Sequence, residues 1–167
     1  MKNSQRFLRA LTVATAALLL GQAARAQSLP DAETREIRSY TLTEAALAKY
    51  LAATRKLSGI QLSCADDEPG VDSLAAAAAK IDAVPGAKSA VESAGMTSRE
   101  YVVFAFALIE NAMAAYALDQ PGGKLPPGIS MENVEFFRKY AAEMERLASE
   151  TVDAGCAEGA DADAGGG

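Results

Sequence analysis

The sequence predicts an all-α fold: a small bundle of about five helices, three longer and two short, after a cleaved signal peptide. Three observations support this prediction. Alanine, the strongest helix former, dominates the composition. β-Branched residues never alternate along a run as they do in a strand, whereas apolar residues recur at helical spacing in the longer segments. No repeat or linker divides the chain, so we expect a single domain.

The first 26 residues have the pattern of an export signal. A basic start, Lys2 to Arg9, precedes the apolar stretch Ala10 to Leu20, and Ala24-Arg25-Ala26 supplies the small-x-small cleavage pattern. The apolar stretch is well short of the roughly 20 residues that cross a bilayer, which disfavours the alternative of a retained anchor. We therefore predict cleavage after Ala26 and a periplasmic or secreted product with no stable membrane insertion.

Charge and composition narrow the function classes. Cleavage would remove four basic residues and no acid, so the formal charge of −6 would become −10. Such a surface repels nucleic acid and anionic lipid, and we expect an unknown protein partner instead. The chain has no histidine, the usual general base and commonest metal ligand. Because no nucleophile or phosphate-loop motif is present either, we predict a protein that is not an enzyme and has neither cofactor nor metal.

The mature chain is predicted to begin with a polar lead-in, residues 27–41, that is loose or partly helical, with a short extended piece over residues 37–42. The bundle domain is then expected over residues 42–152. Thr41 and Glu44 have capping-box spacing, which predicts the start of the first helix. Ser58-Gly59 is expected to end this helix, with the glycine in the left-handed conformation.

Two short helices are predicted next. Asp72 or Ser73 caps the first, which Pro85-Gly86 ends, and the second spans 87–94 and stops at Gly95. Isolated helices this short are barely stable in water, so both must pack against neighbours.

The fourth helix is predicted to be the centre of the molecule. Thr97 and Glu100 have capping-box spacing, and residues 101–118 are apolar apart from Glu110 and Asn111. A helix that is apolar nearly all round lies either inside a bundle or in lipid. The carboxylate and the amide at mid-span favour the bundle.

Glu110 and Asn111 are the candidate site residues of this helix. Glu110 shares a helical face with Val103 and Phe106, so its carboxylate is expected inside the bundle or at the edge of a cleft. A buried acid of this kind can have a raised pKa and act as a general acid. We favour the alternative that Glu110 and Asn111 accept hydrogen bonds from a neighbouring helix or loop and specify packing.

Ser130 is predicted to cap the fifth helix, whose apolar face runs from Val134 to Ala148. Glu135 and Lys139 are spaced for an i,i+4 ion pair on its solvent side. The acidic, glycine-rich residues 153–167 are predicted to be a disordered tail.

Cys64 and Cys156 are the two cysteines. In the oxidising compartment that the export signal implies, they are expected to form a disulfide, and the alternative is two free thiols. The acids of residues 66–68, with Asp72, lack the ligand spacing of an EF-hand, which favours a solvated loop over a calcium site.

The segment Ala94-Gly95-Met96-Thr97-Ser98-Arg99-Glu100-Tyr101, together with Asn133-Val134-Glu135-Phe136-Phe137-Arg138, resembles a group of small exported bacterial proteins to which no activity is assigned. The resemblance covers most of the mature chain and implies export and an all-helical fold, but no catalytic residue. We therefore expect a non-enzymatic interaction or accessory protein. The alternative is a carrier of a small apolar ligand or lipid, with Glu110 or Asn111 as its polar contact.

Overall fold

The computed structural model describes residues 29–60 and 72–152, and within them it is all-helical, which confirms the predicted fold class. Six helices lie in this part of the chain: α1 Asp31–Ser39, α2 Glu44–Ser58, α3 Leu74–Ala83, α4 Ala87–Glu92, α5 Ser98–Leu118 and α6 Met131–Val152. The predicted signal sequence, both cysteines and the acidic residues 153–167 lie outside the described residues.

Helix α5 is the centre of the bundle and contacts each of the other five described helices. Phe104, in its first third, is fully buried and lies edge-on to the ring of Tyr40 and tilted against that of Tyr50. Ion pairs join α2 to α6 at both ends, Lys139 to Glu44 and Arg55 to Glu150, so these two helices run in the same direction. The long apolar helix is therefore packed against its neighbours on several sides.

The lead-in contains a regular helix, residues 31–39, which agrees with its partly helical alternative but not with an extended piece that begins at Ile37. Ile37, expected in an extended piece, lies in the last turn of α1 and is 3% exposed against the core. Extended backbone begins only at Tyr40, which has ψ 129°. Polar residues dominate this segment, so its helix depends on the apolar surface that α5 offers to Ile37.

Helix α2 begins two residues later than the capping pattern predicted. The Thr43 hydroxyl, not that of Thr41, accepts a hydrogen bond from the amide of Ala46 at 3.2 Å. At its other end Gly59 has φ −80°, which is right-handed backbone rather than the predicted left-handed conformation. The helix thus ends without a glycine-specific cap.

The remaining caps agree with the sequence pattern. Ser73 accepts a hydrogen bond from the amide of Ala76, and Ser130 accepts one from Asn133 at 3.1 Å. Thr97 and Glu100 form both hydrogen bonds of a capping box at the start of α5. Each cap supplies an acceptor for helix N–H groups that have no partner within the helix.

By length and composition alone, one helix of the described part, α5, is apolar enough to cross a membrane. Half of its most apolar stretch is buried inside the bundle, and the core helix of a bundle meets the same criteria. The feature is weak evidence for a membrane span.

Candidate functional site

Glu110 lies at the surface of the bundle rather than inside it. Its Oε2 is 3.3 Å from Nε of Arg38 on α1, and the two side chains are 32% and 35% exposed. The same guanidinium donates to the carbonyl oxygen of Pro127 at 3.4 Å. Of the two predicted placements, inside the bundle or at the edge of a cleft, the interior one is wrong, because Arg38 holds the carboxylate at the rim. There Glu110 accepts a hydrogen bond from a neighbouring helix, as the favoured alternative predicted, and ties α1 and the loop before α6 to α5.

Asn111 has the opposite environment, with no exposed surface. Its Nδ2 donates to the carbonyl oxygen of Ala107 at 2.8 Å, within the same helix, and that oxygen is also the regular helical acceptor for the amide of Asn111. Its Oδ1 is buried and has no hydrogen-bond partner among the described residues. Asn111 therefore does not link α5 to a neighbouring helix as predicted, and it forms no joint site with Glu110.

A buried asparagine that the sequence did not single out as a site, Asn133, does link separate elements. Its Oδ1 accepts from the amide of Leu42 at 3.0 Å, and its Nδ2 donates to the carbonyl oxygen of Tyr40 at 2.6 Å. The side chain is 3% exposed and lies in the first turn of α6. It holds the connection between α1 and α2 extended. The sequence signal that could have identified Asn133 is its position three residues after Ser130, the residue that caps α6.

A stacked tyrosine pair joins α2 to α5. The rings of Tyr50 and Tyr101 stack with centroids 4.9 Å apart, and the Tyr101 hydroxyl lies 3.0 Å from that of Thr54. Burial raises the pKa of Tyr50 well above its ordinary value and also raises the pKa of Tyr101. Both phenols are therefore neutral near pH 7 and act as packing groups.

Lys139 pairs across helices rather than within α6. Its Nζ lies 2.8 Å from Oε1 of Glu44, to which the Tyr140 hydroxyl also donates. The Lys139 hydrogen bond, and then that of Tyr140, lower the pKa of Glu44, and Glu44 in turn raises the pKa of Lys139. The predicted Glu135–Lys139 pair is wrong because the start of α2 supplies this nearer acceptor. Glu44, Lys139 and Tyr140 thus join α2 to α6 at the surface.

The C-terminal half of α5 presents an exposed apolar surface, which we call the α5 strip: Ile109, Met113 and Tyr116. Met113 is 63% exposed and Tyr116 is 46% exposed, and Ile109 is half-buried. At 100° per residue these three lie on the same face as Ser98 and Val102, which are both 6% exposed. One face of one helix is therefore covered at its start and open at its end.

The length of α3 explains this change along α5. Ser98 donates to Oδ1 of Asp82 at 2.5 Å, which places the end of α3 beside the start of α5. With 10 residues against 21, α3 is about 15 Å long and α5 about 32 Å. Since α3 packs along α5, it can cover roughly the first half of this face and leaves the α5 strip open.

Among residues 29–60 and 72–152, no group of three or more acidic or cysteine side chains is placed to hold a metal ion. No family model matches the chain, and no curated protein or solved structure matches it. The α5 strip is therefore identified as the candidate site from its geometry alone.

Proposed function

We propose that this protein is a non-enzymatic, exported interaction protein that binds a partner protein through the α5 strip. One observation carries the proposal: Met113 and Tyr116 stand 63% and 46% exposed on the central helix, which contacts each of the other five described helices. Contiguous apolar surface rimmed by polar groups is typical of interaction sites. Tyrosine and methionine are enriched at the centres of such sites.

The charges beside the strip are already paired. Glu110, one turn before Met113, is held by Arg38, and Asp119, one turn after Tyr116, is 2.6 Å from a guanidinium nitrogen of Arg138. A partner therefore meets an apolar centre between two ion pairs rather than a pair of free carboxylates. Such pairs suit the rim of an interface, where water still reaches them.

The net charge indicates which partner fits. The chain carries −6, so a second copy or an acidic protein is repelled, whereas a basic or neutral surface is attracted. We infer a partner whose contact surface is apolar at its centre and neutral to basic at its rim. Three side chains make too small an area for a stable complex on their own, so the strip is the anchor of a larger contact.

Site-specific crosslinking tests this proposal. A photoreactive amino acid at position 113, exposed to an extract of the source organism, should crosslink to one protein that the same group at exposed Ser89 on α4 does not capture. After identification by mass spectrometry, the purified partner should bind the unmodified protein, and Tyr116→Ala should weaken binding about tenfold or more. Ser89→Ala is the matched control and should bind normally.

Three outcomes argue against the proposal. Position 113 and position 89 may capture the same proteins, or Tyr116→Ala may bind the purified partner as tightly as the parent. Crosslinking of position 113 to a second copy of this chain would indicate self-association and overturn the inferred partner chemistry.

Asn111 supports a second candidate, the carrier of a small apolar ligand. Its buried Oδ1 lacks a donor, and a ligand hydroxyl or amide lying between the helices would supply one. Glu110 is less suited to that role because Arg38 already engages it. Organic extraction of the purified protein and mass spectrometry should then yield one reproducible compound, which Asn111→Leu would lose. A clean extract counts against the carrier.

A further inference from the structure

We propose that Met113 is an oxidation site, and that its conversion to methionine sulfoxide by a peroxide-class oxidant switches the α5 strip from apolar to polar. The inference deepens the proposed function, because it concerns regulation of the same surface. It depends on the exposure of the methionines, the chemistry of the thioether and the position of Met113 in the strip.

The four methionines that follow Met1 all lie in the described part of the chain, and they differ widely in exposure. Met113 is 63% exposed, Met131 is 44% exposed and Met96 is 6% exposed, while Met144 is half-buried. An oxidant dissolved in water therefore reaches the Met113 sulfur first. The export signal, if it acts as predicted, places this sulfur outside the reducing cytoplasm.

The reaction balances with one equivalent of hydrogen peroxide. The thioether sulfur attacks one peroxide oxygen, the O–O bond breaks, and an S=O bond forms. Sulfur loses two electrons, the peroxide is reduced, and its other oxygen leaves as water with both protons. The product can be returned to methionine by sulfoxide reductases, so the change is reversible.

The position of Met113 determines what its oxidation changes. Met113 is the central and most exposed residue of the α5 strip, between Ile109 and Tyr116. A sulfoxide oxygen there is a strong acceptor that a partner's apolar surface would bury without a donor. Oxidation of Met131, at the start of α6, adds a polar atom outside the strip and should not affect it.

Peptide mapping tests the site. The purified protein is treated with hydrogen peroxide, quenched at intervals and digested, and the 16 Da addition expected for one oxygen is followed at each methionine. Met113 should be oxidised first and Met131 second, and Met113 should react roughly tenfold faster than Met96, the ratio of their exposed fractions of 63% and 6%. Equal rates for all four, or Met96 ahead of Met113, would overturn the proposal.

Retention on a phenyl matrix tests the switch without any partner. Oxidation should make the parent and Met131→Leu elute earlier, whereas Met113→Leu, equally apolar but not oxidisable at position 113, should shift much less, by the contribution of Met131 alone. If oxidised Met113→Leu shifts as much as the parent, the strip is not what the oxidation changes and the switch is refuted. These readouts do not depend on a partner, so failed crosslinking at position 113 would refute the proposed function and leave this result standing.

Discussion

Replacing Asn111 with leucine should stabilise the protein, although it removes a buried hydrogen bond. The two side chains have nearly the same shape, and the leucine methyls would fill the space of Oδ1 and Nδ2. A buried acceptor without a partner costs about 1–3 kcal/mol, and Asn111 Oδ1 is such an acceptor. The lost bond goes to an Ala107 oxygen that keeps its helical donor, so it contributes no more than about 1 kcal/mol.

The better helix propensity of leucine adds a few tenths of a kcal/mol. We therefore expect the free energy of unfolding to rise by about 1–2 kcal/mol, and Tm by roughly 4–8 °C. Thermal and urea denaturation followed by circular dichroism measure both quantities, with an unchanged m-value showing that the same surface unfolds.

Asn133→Leu is the matched control and should act in the opposite direction. It makes the same chemical change at an equally buried position, but it leaves the amide of Leu42 and the carbonyl of Tyr40 without their partner. We expect a loss of about 2–4 kcal/mol. If Asn111→Leu is also destabilising, a donor reaches Oδ1 in solution and the reasoning about an unpaired acceptor is refuted. That result would favour the carrier.

Three further predictions concern the capping box, the surface ion pair and the cysteines. Thr97→Ala should cost about 1 kcal/mol by urea denaturation. The hydrogen bond from the Thr97 amide lowers the pKa of Glu100. The ionised Glu100 therefore stabilises the fold above the ordinary glutamate pKa of about 4.3, and this stabilisation is lost as the pH falls further. Measuring the free energy of unfolding against pH in the parent and in Glu100→Gln should reveal the loss. Glu110→Gln should cost less than about 1 kcal/mol, since its ion pair is a third exposed. Cys64→Ser should lower Tm under non-reducing conditions if Cys64 pairs with Cys156, and an unchanged Tm would refute that bridge.

Local signals in the sequence predicted the helices and most of their starts. Ser73, Thr97 and Ser130 each cap a helix because the motif needs only neighbouring residues. The helix at residues 31–39 was not predicted as such, because its stability depends on Ile37 packing against α5, far along the chain. The start of α2 differs from the prediction for a similar reason. Asn133, far along the chain, holds residues 40–42 extended, so Thr43 rather than Thr41 caps the helix.

The candidate site was less predictable than the helices. A helical wheel gives the face of Glu110 but not its partner, and Arg38 lies 72 residues earlier in the chain. Burial of Asn111 followed from the apolar helix around it, whereas the missing donor to Oδ1 is a property of the packed core. The exposure of Met113 could not be predicted from the sequence either, because the apolar pattern of α5 does not distinguish one apolar residue from another.

That exposure follows from a mismatch in helix length, and the mismatch connects the fold to the proposed function. A 21-residue apolar helix needs cover along about 32 Å, and the 10 residues of α3 supply about 15 Å of it on one face. Met113 and Tyr116 lie on the part of α5 that α3 does not cover. Polar residues at these positions would avoid the unfavourable free energy of exposing apolar surface to water. Under the proposed function, the partner protein completes the cover of these two side chains.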